Sequence, residues 1–162
     1  MLAQKTKLVV GYPINSSSTG LRGTTGSAEW VNLGKYHHVT ALVNVRSTGG
    51  SVTMRLQKAT SSTGAGATNT GFHYWYNKDV SATGGDALTA GGASTSAVTI
   101  STGTALSKLG VIEADSSDIQ GTAADYKFVR VSIASTTGAN ACINYILSDA
   151  RYTDASPPSA LS

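Results

Sequence analysis

The sequence predicts an all-β, single-domain, jelly-roll-like β-sandwich of about eight antiparallel strands. Three observations carry that expectation. Two pairs of stretches alternate apolar and polar residues with period two: Val39–Arg46 with Ser51–Ala59, and Tyr126–Ala134 with Asn140–Ser148. Segments rich in Ser, Thr and Gly punctuate the chain between such stretches. No segment sustains a helical period, although Ser116–Ala124 has room for one short turn capped by Asp115 or Ser117.

Strands are expected at Lys7–Tyr12, Glu29–Leu33, His37–Arg46, Ser51–Ala59, Phe72–Val80, Ala97–Ser101, Lys108–Ala114, Tyr126–Ala134 and Asn140–Tyr152. Eight of them fill two four-stranded sheets, the layout of a jelly roll. Residues 1–154 make the sandwich domain, with 1–6 as an N-terminal arm. Residues 155–162 make an extended C-terminal tail, because Pro157 and Pro158 cannot continue a strand. The long segments Asn15–Ser27, Ala59–Gly71 and Ser81–Ser96 read as loops. A chain of 162 residues fits one domain. At that size folding buries about 68–70% of the unfolded surface, enough for a core without staples.

The paired stretches read as two hairpins. In the first, Ser47-Thr48-Gly49-Gly50 is a turn signal, and closing it sets Val45 opposite Val52, Val43 opposite Met54 and Ala41 opposite Leu56. In the second, Ser135–Ala139 turns the chain so that Val131 meets Ile143 and Val129 meets Tyr145. Each register collects the apolar residues on one face. The other face of the first hairpin carries Thr40, Asn44, Arg46, Thr53, Arg55 and Gln57, with Leu42 as the exception.

Composition excludes several function classes. Charged residues are only 13% of the chain and the net charge is +3, with the basic residues scattered singly. Readers of nucleic acid cluster Lys and Arg on one face, so no specific nucleic-acid partner is expected. No run approaches the roughly 20 apolar residues of a membrane span, and Met1–Lys5 lacks the apolar stretch of a signal peptide. The expected site of synthesis is a cytoplasm. Cys142 is the only cysteine, and its place between Ala141 and Ile143 reads as a small buried hydrophobe.

A search for reactive groups yields no catalytic, metal or cofactor residues. His37 and His38 are adjacent and so face opposite ways on a strand, and His73 stands alone among aromatics. Gly64–Gly71 lacks the Gly-Lys-Ser/Thr ending of a phosphate loop and reads as a flexible loop. Glu113, Asp115, Asp118 and Asp125 are the densest acidic group, but without the alternate-position spacing of a calcium loop. They leave room for a weak cation site at most.

The aromatic run Phe72-His73-Tyr74-Trp75-Tyr76 is the strongest local oddity. On a strand it loads both faces, so one face lines the core while the other packs under a loop, binds a ligand or enters a subunit interface. The candidate interface residues are Trp30, Tyr74, Trp75, Tyr76, Pro157 and Pro158. The proline tail is read either as a frayed terminus or as an arm ordered on a neighbouring subunit.

Several of these segments together resemble the small virion structural proteins of tailed bacteriophages, the head-associated or capsid decoration type. They are Val52–Ala59 with Ser61-Ser62-Thr63-Gly64, Phe72–Tyr76 with Lys78-Asp79, Val111-Ile112-Glu113, Asp125–Val131 and Tyr145–Tyr152. The resemblance spans residues 37–152 and leaves the first 36 aside. It implies a β-sandwich that attaches to the capsid exterior or near the head–tail junction, and it transfers no catalytic residue. The expectation is therefore a non-enzymatic virion protein, without cofactor, whose partners are the major capsid protein and further copies of itself. A homotrimer on local three-fold positions is the expected assembly, since closed symmetry suits repeated lattice sites. The alternatives are a head–tail connector or tail component, and a carbohydrate- or receptor-binding β-module using Trp30, Tyr74, Trp75 and Tyr76 as an exposed platform.

Overall fold

The structure, a computed structural model, describes residues 6–12, 25–47, 51–77, 87–94, 96–101, 107–120, 125–135 and 139–151. The chain runs through β1 (Thr6–Tyr12), β2 (Thr25–Ser27), β3 (Val31–Asn32), a 3-10 turn at Leu33–Lys35, β4 (Tyr36–Ser47) and β5 (Ser51–Ala59). It continues through β6 (Thr68–Thr70), β7 (Phe72–Asn77), β8 (Leu88–Ser94), β9 (Val98–Ser101) and β10 (Ser107–Asp115). The helix α1 (Ser116–Gln120), β11 (Phe128–Ser135) and β12 (Ala139–Ala150) complete it. Most of the expected arm at 1–6 and the whole tail with Pro157 and Pro158 lie outside the described residues.

The strands form two antiparallel sheets, with order β1-β12-β4-β10-β7-β8 in the first and β2-β11-β5-β6 in the second. Within them, β1-β12-β4-β10 facing β2-β11-β5-β6 is the order that two rolled Greek keys produce. The fold is an all-β jelly-roll-like sandwich. β6 and β9 lie end to end along β5, β6 against Leu56–Lys58 and β9 against Ser51–Met54. Between them the chain detours into the first sheet as the antiparallel pair β7–β8, which widens that sheet to six strands.

Neither expected hairpin exists. β4 pairs with β10 and β12, whereas β5 pairs with β11, β6 and β9 in the opposite sheet. Likewise β11 pairs with β2, β3 and β5, and β12 with β1 and β4. Both links are arches between sheets. Four Cα steps separate Ser47 from Ser51 and Ser135 from Ala139, and four steps span up to about 14 Å. That reach covers the roughly 10 Å between sheets as well as the roughly 4.8 Å between strands. Period-two alternation tells which face is buried, and that part holds: Val39, Ala41, Val43 and Val45 face Val52, Met54 and Leu56 across one core.

Three strands fall inside segments read as loops. Apart from Leu88 at the start of β8, β2, β6 and β8 are built of Thr, Gly, Ser, Asn and Ala with little apolar alternation, and they pair through their backbones. The helix α1 does form where one turn is expected, with the Asp118 carboxylate accepting the Asp115 N–H at 3.4 Å. It closes one end of the core with Ile119, which is buried. Lys58, on the core side of β5, caps that end: its ammonium donates to the Ile119 carbonyl at 3.1 Å and lies 4.5 Å from the centre of the Tyr126 ring.

A polar contact crosses the core. The Val131 N–H donates to the Tyr145 hydroxyl at 2.7 Å, joining β11 in the second sheet to β12 in the first. That N–H needs a side-chain acceptor because β3 pairs with β11 at Phe128–Val129 and β2 at Ser132–Ala134, leaving a gap between them. Tyr145 is fully buried. Room for its ring comes from Gly11, where β1 bulges against β12; a β-carbon there would collide with the ring. The same flank is stitched by the Ala28 N–H to the Val131 carbonyl at 2.9 Å and the Glu29 N–H to the Gly11 carbonyl at 2.8 Å.

Burial pushes the Tyr145 phenol well above its ordinary value of 10.0. The folded state therefore keeps a proton that the unfolded chain releases above about pH 10, so this contribution to stability is complete below pH 10 and falls as pH rises further. In chemical denaturation, Tyr145→Phe is expected to cost about 1–3 kcal/mol at neutral pH, because the Val131 N–H loses its acceptor. Between pH 10 and 11 the wild type should lose up to about 1.4 kcal/mol relative to that variant. A constant difference across that range would refute the account.

Candidate functional site

The outer face of the first sheet is a candidate surface that crosses six strands. Strand pairing places Val10, Asn144, Leu42, Val111, Trp75 and Ala90 in one row that crosses all six strands. Leu8 and Ile146 pair in the adjacent row. Leu8 is 67% exposed and Val10 60% exposed, which is uncommon for large apolar side chains when they stand together. Leu42 belongs to this row, so the apolar exception on a polar face is a member of a stripe assembled from distant strands. Cys142 lies on this outer face and is half-buried, with the Asn144 side-chain amide 3.5 Å from its sulfur, rather than packed inside as expected.

At one end of this face β4 and β10 bring His38, Thr40, Glu113 and Asp115 together. His38 Nδ1 lies 2.7 Å from Asp115 Oδ1, Nε2 lies 3.2 Å from the Thr40 hydroxyl, and that hydroxyl donates to Glu113 at 3.3 Å. Sequence reasoning missed this cluster, since its two halves are separated by 73 to 77 residues and only the register joins them. The carboxylates sit against opposite nitrogens of one ring and so cannot converge on a single ion. Among the described residues no group of His, Cys, Asp and Glu is placed to hold a metal. The acidic group seen in sequence is dispersed: Asp118 bonds the Asp115 backbone and Asp125 pairs with Lys127.

The candidate aromatic residues separate onto three surfaces and make no single platform. Trp30 is buried on the outer side of the second sheet with Ala59 and Phe128. The Arg130 guanidinium covers it at 4.5 Å from the ring centre, and Gly64 presses on its other side. The loop around Gly64 is a hydrogen-bonded turn rather than the loose loop expected: the Thr60 N–H donates to Ala65 at 3.0 Å and the Ala67 N–H to Gly64 at 3.2 Å.

Trp75 lies half-buried in the apolar row just described. Tyr74 and Tyr76 point the other way, toward the core side of β7. Their rings are nearly parallel, with an interplanar angle of 18° and centroids 6.3 Å apart. Phe72 meets Tyr74 edge-on at 6.2 Å and is buried. Because β7 and β8 overhang the second sheet, the two tyrosines and β9 residues Val98, Thr99 and Ile100 line a cleft of about 250 Å³ on that flank. Tyr74 is seated by a second glycine bulge, where a β-carbon on Gly91 of β8 would collide with its ring. Pro157 and Pro158 fall outside the described residues.

No protein family matches the sequence, and no characterised protein matches it. Three solved structures show a similar layout. The SPBc2 prophage-derived protein YomS is 11% identical, with 88% of this chain and 91% of that chain covered at a TM-score of 0.43. The C-terminal CBM6 of LamC, a marine laminarinase from Zobellia galactanivorans, is 9% identical over 88% and 98% at 0.34. The cowpea mosaic virus top component, a naturally occurring empty particle, is 9% identical over 98% and 94% at 0.36. A prophage protein, a carbohydrate-binding module and a virus particle are thus among the similar structures. Likeness at these values carries no argument, so fold and function rest on this chain's own geometry.

The placement of the two tryptophans has a measurable consequence. Trp30→Ala removes a ring held between Arg130, Phe128 and Gly64 and should cost about 3–5 kcal/mol in chemical denaturation. Trp75→Ala should cost clearly less. Equal costs would contradict the assignment of Trp30 to the interior.

Proposed function

We propose that this chain is a non-enzymatic structural protein of a phage virion: a capsid decoration protein that binds the assembled head as a homo-oligomer and stabilises it. The observation that carries this reading is the outer face of the first sheet, where an uncharged and mostly apolar row crosses all six strands, with Leu8 and Val10 exposed at one edge and Leu42 and Trp75 half-buried within it. Such a surface suits shape-driven association. The resemblance of residues 37–152 to head-associated phage proteins supports the same reading. Its partner is the major capsid protein, and its place is the capsid exterior or the head–tail junction.

Stabilisation follows from mass action. A protein that binds the closed shell and not its free subunits adds RT ln(1 + [L]/Kd) per site, about 2.7 kcal/mol at a hundredfold excess over Kd. The test mixes the purified protein with heads that lack it and with unassembled coat subunits. Co-sedimentation with heads alone and a raised melting temperature of the heads are expected. Because the row itself is uncharged and the charges of the face lie at its two ends, bound protein should stay on the heads as salt rises from about 0.05 to about 0.5 M. Release over that range, or binding to free subunits, would count against the proposal.

The cleft at Tyr74 and Tyr76 favours a second reading, a β-module that stacks a sugar ring on the two tyrosines. Titration of the protein's fluorescence with glycans distinguishes it. A saturable change abolished by Tyr76→Ala would support this reading over the first.

A further inference from the structure

We infer that the outer face of the first sheet is the surface on which two copies of this chain associate, face to face about a two-fold axis. This inference concerns the free protein: the same face is proposed above to meet the capsid, so on a head the coat protein takes the place of the second copy and the two associations exclude one another.

Symmetry is the first argument. Six side chains, Val10, Asn144, Leu42, Val111, Trp75 and Ala90, form one straight row across the sheet. A two-fold axis lying in the interface along that row returns each of them onto its own counterpart. The contact is self-complementary, as a two-fold interface requires. Leu42 and Val111 then fall in the centre with Trp75 beside them, where interfaces concentrate aromatic and aliphatic groups and exclude charge.

Charge is the second argument. The same axis exchanges the two ends of β4. Arg46, exposed at one end, comes to face the His38–Asp115 pair at the other end in the second copy. This opposite-charge contact is made twice, at the rim, with the uncharged row between.

Area is the third. Six strands at about 4.8 Å by the eight steps from His38 to Arg46 at about 3.3 Å give a footprint of about 700 Å² per copy. The total of about 1,400 Å² lies within the roughly 1,200–2,000 Å² of stable interfaces. Lateral growth is disfavoured at the same time, because the edge strands β1 and β8 are kinked by bulges at Gly11 and Gly91. Stacking on the face avoids both edges of this sheet, and it leaves the flank with the tyrosine cleft free for another partner.

The experiment measures the mass of the full chain by light scattering or sedimentation across a concentration series. A mass of two copies is expected. Leu42→Asp should give a monomer with an unchanged circular dichroism spectrum. Since Leu42 is half-buried, rim variants provide a check that leaves the sheet intact. Arg46→Glu alone and Asp115→Arg alone should each weaken the dimer about tenfold, and the double variant Arg46→Glu with Asp115→Arg should restore it. A monomer at all concentrations, a mass of three copies, a Leu42→Asp dimer or a double variant that fails to recover would each overturn the inference. Binding to heads is scored separately, so its failure leaves this result standing.

Discussion

The sandwich depends on the contact between Tyr145 and the Val131 backbone. A jelly roll joins its sheets mainly by apolar side chains, which fix separation but tolerate sliding. Here a hydrogen bond of 2.7 Å between a buried hydroxyl and a strand N–H sets the sheets at one relative position. Its neighbours all serve that position. Gly11 bulges to admit the ring, β2 and β3 part to expose the N–H, and residues Ala28 and Glu29 bond to both sheets beside it. A buried donor without this acceptor would cost more than the bond itself contributes, so these features stand or fall together.

The sequence made the buried face of nearly every long strand legible. Val39 to Val45, Val52 to Leu56, Val129 to Ile133 and Ala141 to Leu147 all point inward as their spacing requires. It did not reveal which strand lies beside which. The spacing sets Val129 beside Tyr145 in one hairpin, whereas β11 and β12 lie in opposite sheets and Tyr145 meets Val131 across the core, because a link of four steps serves either geometry. β2, β6 and β8 escaped notice since backbone pairing leaves little trace in Thr, Gly and Ser.

The candidate site was legible in its parts. Leu42 stood out as an apolar residue on a polar face, and the aromatic run at Phe72–Tyr76 was marked as loading both faces. The row joining Leu42 to Val111 and Trp75 needs the register of β4, β10 and β7, which residues separated by dozens of positions do not announce. The cluster of His38, Thr40, Glu113 and Asp115 was hidden for the same reason. Trp30 misled in the opposite sense, because its cover comes from Arg130 and the Gly64 turn, far away in the chain.

The strand order also governs how the molecule is made. β1 pairs along its length with β12, so residues near one end wait for partners synthesised more than a hundred positions later. β4 likewise waits for β10 and β12 on its two sides. The β4–β10–β7–β8 part of the first sheet needs no β12, but β1 has no other partner, so closing that edge is a late and comparatively slow event. Until that moment the backbone of β1 is unpaired and Val9, buried in the finished fold, lies uncovered.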